Sequence, residues 1–158
     1  MDITILAAWG EFLGGIAVVV SLIYLASQIR QNSKLLRAST ASVTHETTTR
    51  IPVLTAENPD ASRIYWDGLS DPTALSESDR HRFDPMIATY INGVRLEHEF
   101  AQDGILSPTI WTSRVRTTRW LLQQPGARQW WDEWSKNLYD DDFIVFVNGL
   151  IREGEAAE

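Results

Sequence analysis

Residues 12–29 contain no charged side chain, whereas charges recur along the whole chain from Arg30 onward. The apolar stretch reaches back to Ile3 and is interrupted only by Glu11. A membrane-spanning helix needs about 20 mainly apolar residues, and this run supplies them. Trp9 and Tyr24 stand near its ends, where amphipathic rings favour the headgroup level. The pattern predicts one transmembrane helix over residues 3–29. A helix lying in the interface would need a polar face, and the core helix of a soluble protein would carry a polar stripe; this run has neither. A cleaved signal peptide would want a basic start and a small residue ahead of the cut. Here only Asp2 precedes the run, and Tyr24 occupies the place of the small residue in Tyr24-Leu25-Ala26.

Past Arg30 the spacing of apolar positions is helical throughout. Residues 30–58 read as a helical stalk, although 39–50 (STASVTHETTTR) are rich in Ser and Thr and read either as a mobile stretch or as a weakly amphipathic helix. Pro52 and Asn58-Pro59 punctuate the chain, with Pro59 suited to the first position of a helix that presents Ile64, Tyr65 and Leu69. Ser76, followed by Asp79, forms a capping-box-like start. The face Phe83, Ile87, Tyr90, Val94 and Ala101 then runs to a stop at Asp103-Gly104. Ser107-Pro108 opens a helix with Trp111, Val115, Thr118 and Leu122 on one side, and Gln124-Pro125-Gly126 breaks the chain. Ala127, Trp130, Trp131, Trp134 and Leu138 define a further face. A last helix, capped by Asp141 or Asp142, turns Phe143, Phe146, Val147, Leu150 and Ile151 inward. No stretch alternates with period two. The expected fold is all-α: a transmembrane helix (3–29), a stalk (30–58), an up-and-down helical bundle (59–153) and a short tail (154–158).

Charge adds orientation and excludes partners. Arg30, Lys34 and Arg37 follow the span, and no Lys or Arg precedes it. The positive-inside rule therefore expects a cytoplasmic bundle and an outside N-terminus. Residues 38–158 hold 11 basic against 19 acidic residues, and a surface that acidic disfavours nucleic acid as a partner. The chain has no cysteine, hence neither disulfides nor thiolate metal sites.

Few residues suggest chemistry. Ala7, Gly10, Gly14, Ala17, Ser21, Tyr24 and Gln28 recur at alternating spacings of three and four, a mostly small-residue seam containing Gly10-x-x-x-Gly14. Such a seam lets helix backbones approach where lipid removes the hydrophobic drive, so self-association is expected. Glu11 is an acid at the edge of the bilayer. It reads as a wet residue at headgroup depth or as an acid of an interface or pore mouth. Glu97 falls on the inward face of its helix and needs a cation, for which Arg128 is the candidate, with Arg63 and Arg95 also available. Trp130, Trp131 and Trp134 read as core packing, the alternative being an aromatic patch for a ligand or partner. His45, His81 and His98 lie on different elements without metal-ligand spacing, and Asp140-Asp141-Asp142 lacks the remainder of a calcium loop. There is no phosphate loop, nucleophile elbow or zinc helix, and no cofactor is expected.

The segment from Gly10-Glu11-Phe12 to Gln28-Ile29-Arg30-Gln31-Asn32, the Ala56-Glu57-Asn58-Pro59 motif, Arg82-Phe83 and Pro125-Gly126-x-Arg128-x-Trp130-Trp131 together resemble a family of bacterial single-pass membrane proteins that has no established activity. The resemblance covers nearly the whole chain, and its first and last motifs are the specific ones. It departs from the family at residues 44–52, where Thr replaces bulkier residues. It implies a bacterial inner-membrane protein with a helical soluble part. The expected function is that of a non-enzymatic, self-associating membrane protein whose cytoplasmic helices dock a protein partner. The alternative is a homo-oligomeric channel or proton-conducting assembly with Glu11 at its mouth.

Overall fold

The computed structural model describes the backbone of residues 3–156, and side chains there apart from those of residues 3–8, 34, 37, 38, 41, 45 and 47. The first helix, α1, runs Ile3–Glu57. It continues through Pro52, whose missing N–H removes one intrahelical bond, that of the Thr48 carbonyl, without ending the helix. The stretch that the sequence left open, 39–50, is therefore helical. Residues 1–39 and 40–158 form two separate compact units, so the second begins inside the expected stalk rather than at residue 59.

In the first unit, Trp9–Ser33 is a 25-residue stretch with a mean hydropathy of 2.0, and its most apolar part is wholly unburied. It is long and apolar enough to cross a membrane, since at about 1.5 Å per residue it exceeds the roughly 30 Å hydrocarbon core.

The second unit consists of the end of α1 and five further helices, with no strand among the described residues. Helix α2 (Pro59–Ser70) starts where the Asn58 side chain accepts from the Ala61 N–H at 3.0 Å. A 3-10 turn at Pro72–Ala74 leads to α3 (Glu77–Gln102), capped by Ser76 accepting from the Asp79 N–H at 3.1 Å. Gly104, at φ +67, lets the chain turn after α3. Helices α4 (Pro108–Leu122) and α5 (Pro125–Leu138) each begin on a proline at or near their first position. Helix α6 (Asp141–Glu155) is capped by Asp140, one residue before the expected Asp141 or Asp142, and it extends into the expected tail with Gly154 buried. Helix α2 packs on α3 and α5, α3 on α4, and α4 on α6. The shared core holds Ile64, Leu69, Phe83, Ile87, Ile91, Val94, Leu121, Leu122, Trp130, Trp131, Phe143 and Val147.

Two glycines set how closely α2 meets its neighbours, Gly126 at the contact with α5 and Gly68 at the contact with α3. A Cβ at Gly126 would overlap the Gly68 carbonyl oxygen, and one at Gly68 would lie 2.5 Å from the Phe83 ring. The neighbour of Gly126 is backbone and cannot rotate aside. Overpacking of this kind costs about 1–3 kcal/mol, which outweighs the gain of up to about 1 kcal/mol that alanine brings to a helix. Gly126→Ala is therefore expected to lower stability in urea denaturation. Gly149→Ala in α6, where nothing lies within 4 Å of the new methyl, is expected to be neutral or stabilising by up to about 1 kcal/mol.

At the other end of the core, His98 stacks on Phe146 with ring centroids 4.4 Å apart, and lies 5.7 Å from both Trp111 and Phe143. Desolvation among these rings lowers its pKa below the ordinary 6.5, and it outweighs Asp140, Glu99 and Asp142, which pull the other way. Because the unfolded chain then binds the proton more readily, stability should fall as pH drops from about 6.5 toward the folded-state value. In thermal unfolding followed across pH 7 to 5, His98→Phe is expected to flatten that slope.

Candidate functional site

Within the second unit, one stripe of α1 faces the other helices. Thr40, Thr44 and Ile51 are buried and Thr55 is half-buried, at helical spacings of four, seven and four. Threonine serves here because its methyl packs while its hydroxyl can bond back to the helix it sits on. Thr48 donates to the Thr44 carbonyl at 2.7 Å, and Thr55 donates to those of Ile51 at 3.0 Å and Pro52 at 3.1 Å.

Beneath this stripe lies a cavity of about 540 Å³, bounded by residues of α1, α2, α3 and α4. Its walls include Tyr65 and Trp66 from α2, Tyr90 and Glu97 from α3, and Ser113, Arg114, Thr117 and Trp120 from α4. Glu97 is 1% exposed and Arg114 5%, and Arg114 Nε lies 2.9 Å from Glu97 Oε2. The guanidinium also sits over the Tyr90 ring, its carbon 4.5 Å from the centroid. Thr118 donates to the Arg114 carbonyl at 2.9 Å, which leaves its oxygen to accept from the Tyr90 hydroxyl at 3.3 Å. Arg114 Nη2 is buried without a hydrogen-bond partner. Burial raises the pKa of Tyr90 and lifts that of Tyr65 to about 12, so both phenols stay protonated at neutral pH.

The ion pair corrects the expected assignment. Arg128 lies on α5 at the surface, 3.3 Å from Asp132 and 3.0 Å from Glu155, and does not meet Glu97. Arg63 and Arg95 are likewise engaged by surface carboxylates. Arg114 was the missed partner. Its signal was position: Arg114, Thr118 and Leu121 share one face of α4 at spacings of four and three, and all three are buried.

The tryptophan trio divides. Trp130 and Trp131 are 2% and 1% exposed, so they belong to the core rather than to a surface patch. Trp131 stacks on Tyr139 at 5.5 Å and donates to Asn148 at 3.0 Å. Trp134 alone is exposed, at 38%. The aromatic rings that do line an open space, Trp66 and Trp120, were not singled out in the sequence.

The seam residues Gly10, Gly14, Ala17, Ser21 and Tyr24 are exposed and Gln28 is half-buried; the side chain of Ala7 lies outside the described residues. Ser21 donates to the Ala17 carbonyl at 2.8 Å and Gln28 to the Tyr24 hydroxyl at 2.6 Å, so these polar groups are satisfied within the helix. Glu11 is exposed beside a shallow groove over Gly15, lined also by Phe12, Ile16, Val19 and Val20. No group of three or more metal-ligating side chains gathers among the described residues.

No protein family, curated protein or solved structure matches the chain.

The buried pair makes a direct prediction. Removing one partner of such a pair costs about 3–5 kcal/mol, whereas replacing both is often neutral. Arg114→Met should therefore destabilise the protein by that amount in chemical denaturation. Adding Glu97→Gln should recover most of the loss. A single variant as stable as the parent would show that the pair does not hold α3 to α4.

Proposed function

We propose that the protein is a non-enzymatic, self-associating, single-pass bacterial inner-membrane protein whose helical domain docks a cytoplasmic partner. One observation carries the reading: in Trp9–Ser33 the large apolar side chains, from Trp9 and Phe12 to Leu25 and Ile29, are exposed. Leaving each in water forgoes about 1.5–3 kcal/mol, and a lipid bilayer relieves the whole stretch at once. The basic residues Arg30, Lys34 and Arg37 support a cytoplasmic domain. The resemblance in the terminal motifs supports a bacterial inner membrane.

Self-association is supported by the open seam. A Cβ at Gly10 or Gly14 would meet nothing within 4 Å, so a second helix has room to approach backbone to backbone. Binding in preference to catalysis is supported at the cavity, where Glu97, the one carboxylate among the described lining residues, is held by Arg114 at 2.9 Å and so is poorly placed to move protons.

The test is energy transfer between singly labelled full-length chains in phospholipid bilayers. Transfer is expected to rise with protein-to-lipid ratio. Gly14→Leu should weaken association at least tenfold, while Val19→Leu, off the seam, should leave it unchanged. Transfer at the random-encounter level for the parent chain would sink self-association, and release of the protein by alkaline carbonate would sink the span.

A further inference from the structure

The cavity of about 540 Å³ falls within the roughly 300–1,000 Å³ typical of small-molecule sites. It is long: its wall on α1 runs from Thr44 to Thr55, about 16 Å at 1.5 Å per residue, and its wall on α4 runs from Ile110 to Leu121. Much of this lining offers a polar ligand little. Glu97 and Arg114 are 1% and 5% exposed and so present almost no surface. Thr48, Thr55 and Thr117 donate their hydroxyl protons to carbonyls of their own helices. The large apolar groups of the lining are partly left to water, with Trp66, Trp120 and Ile110 at 51%, 50% and 41% exposed. An apolar chain lying among them would cover that surface.

Near the start of α4 the chemistry changes. Ser113 lines the cavity and also a second hollow, which it shares with Pro108, Thr109, Thr112 and Arg116. Arg116 is exposed and meets no carboxylate among the described residues, whereas Arg114 and Arg119 on the same helix are each held by one. The hydroxyls of Thr109, Thr112 and Ser113 likewise make no hydrogen bond to any described residue. An apolar slot that adjoins an available guanidinium and three free hydroxyls matches a molecule with an apolar chain and an anionic head.

We infer that the cavity binds a single-chain anionic lipid, a fatty acid by chemical class, with its alkyl chain along α1 and α4 and its carboxylate against Arg116. The inference goes beyond the proposed function and is independent of self-association.

The test is photolabelling of full-length protein in phosphatidylcholine nanodiscs, at pH 8.5, with dodecanoate carrying a diazirine at its chain end. Labelled residues are located by mass spectrometry, and competitors are compared at equal mole fraction in the lipid. Saturable labelling of cavity residues between Thr44 and Leu121 is expected. Unlabelled dodecanoate should compete at least threefold better than dodecanol, the scale of one partly exposed ion pair. Butyrate, which has the head without the chain, should not compete. Arg116→Gln should weaken labelling at least threefold and remove the advantage over dodecanol, while Arg50→Gln, which lines neither hollow, should change nothing. Thr117→Trp, which fills the cavity from an exposed lining position, should abolish the saturable signal; should it fail to fold, Ser113→Trp serves the same purpose. Labelling confined to Trp9–Ser33, cavity labelling that does not saturate, or equal competition by dodecanol would each overturn the assignment.

Discussion

Taking a carboxylate and a guanidinium out of water together constrains everything packed around Glu97 and Arg114. Each ion alone would cost several kcal/mol to bury. At 2.9 Å from each other, with the Tyr90 ring under the guanidinium at 4.5 Å, they become tolerable inside a helical core. The pair fixes the register of α3 against α4, because a shift of either helix by one residue would turn its charge out of the shared face. It also gives the threonine stripe of α1 something to cover. A stripe of large aliphatic residues would press onto the charges, whereas threonine packs with small methyls and leaves the cavity open.

Away from that pair, charge has a different role. Arg63 meets Asp60 at 2.8 Å and Asp79 at 3.1 Å; Arg80 meets Asp84 at 3.3 Å and Glu133 at 3.0 Å; Arg119 meets Glu153. These contacts are largely solvent-exposed, where an ion pair contributes about 0–1 kcal/mol. Those to Asp79, Glu133 and Glu153 join neighbouring helices, those to Asp60 and Asp84 stay within one helix, and all relieve some of the acidic domain's self-repulsion. The core and the glycine crossing, not the surface pairs, hold the helices together.

The pattern of apolar spacing made the helices legible, and the proline and asparagine, aspartate or serine caps placed most of their starts. Phe83, Ile87, Tyr90 and Val94 announced the inward face of α3, and all four are buried. What the pattern hid has a common physical cause. The stripe of α1 is built largely from threonine, whose half-polar side chain registers as solvent-facing in any apolar count, so its inward face did not show in the pattern. Arg114 was hidden for a related reason: a charged side chain on an inward face reads as an interruption until its partner is known. Glu97 was found because a carboxylate amid apolar positions demands a cation, but spacing along one chain cannot say which of several arginines the fold will bring to it. Trp66 and Trp120 border the cavity only because α2 and α4 both reach it, a relation that no local window contains.

The glycine contact between α2 and α5 also orders events during synthesis. Gly68 and its face, with Ile64, Leu69 and Phe83, leave the ribosome well before Gly126 and the tryptophans that cover them. At about 5–20 residues per second, α2 and α3 wait on the order of seconds, paired with each other but lacking the indole half of their core. A chain that stops short of Pro125 therefore carries its apolar first helix and the stripe of α1, yet never closes the interior that the rest of the molecule is built around.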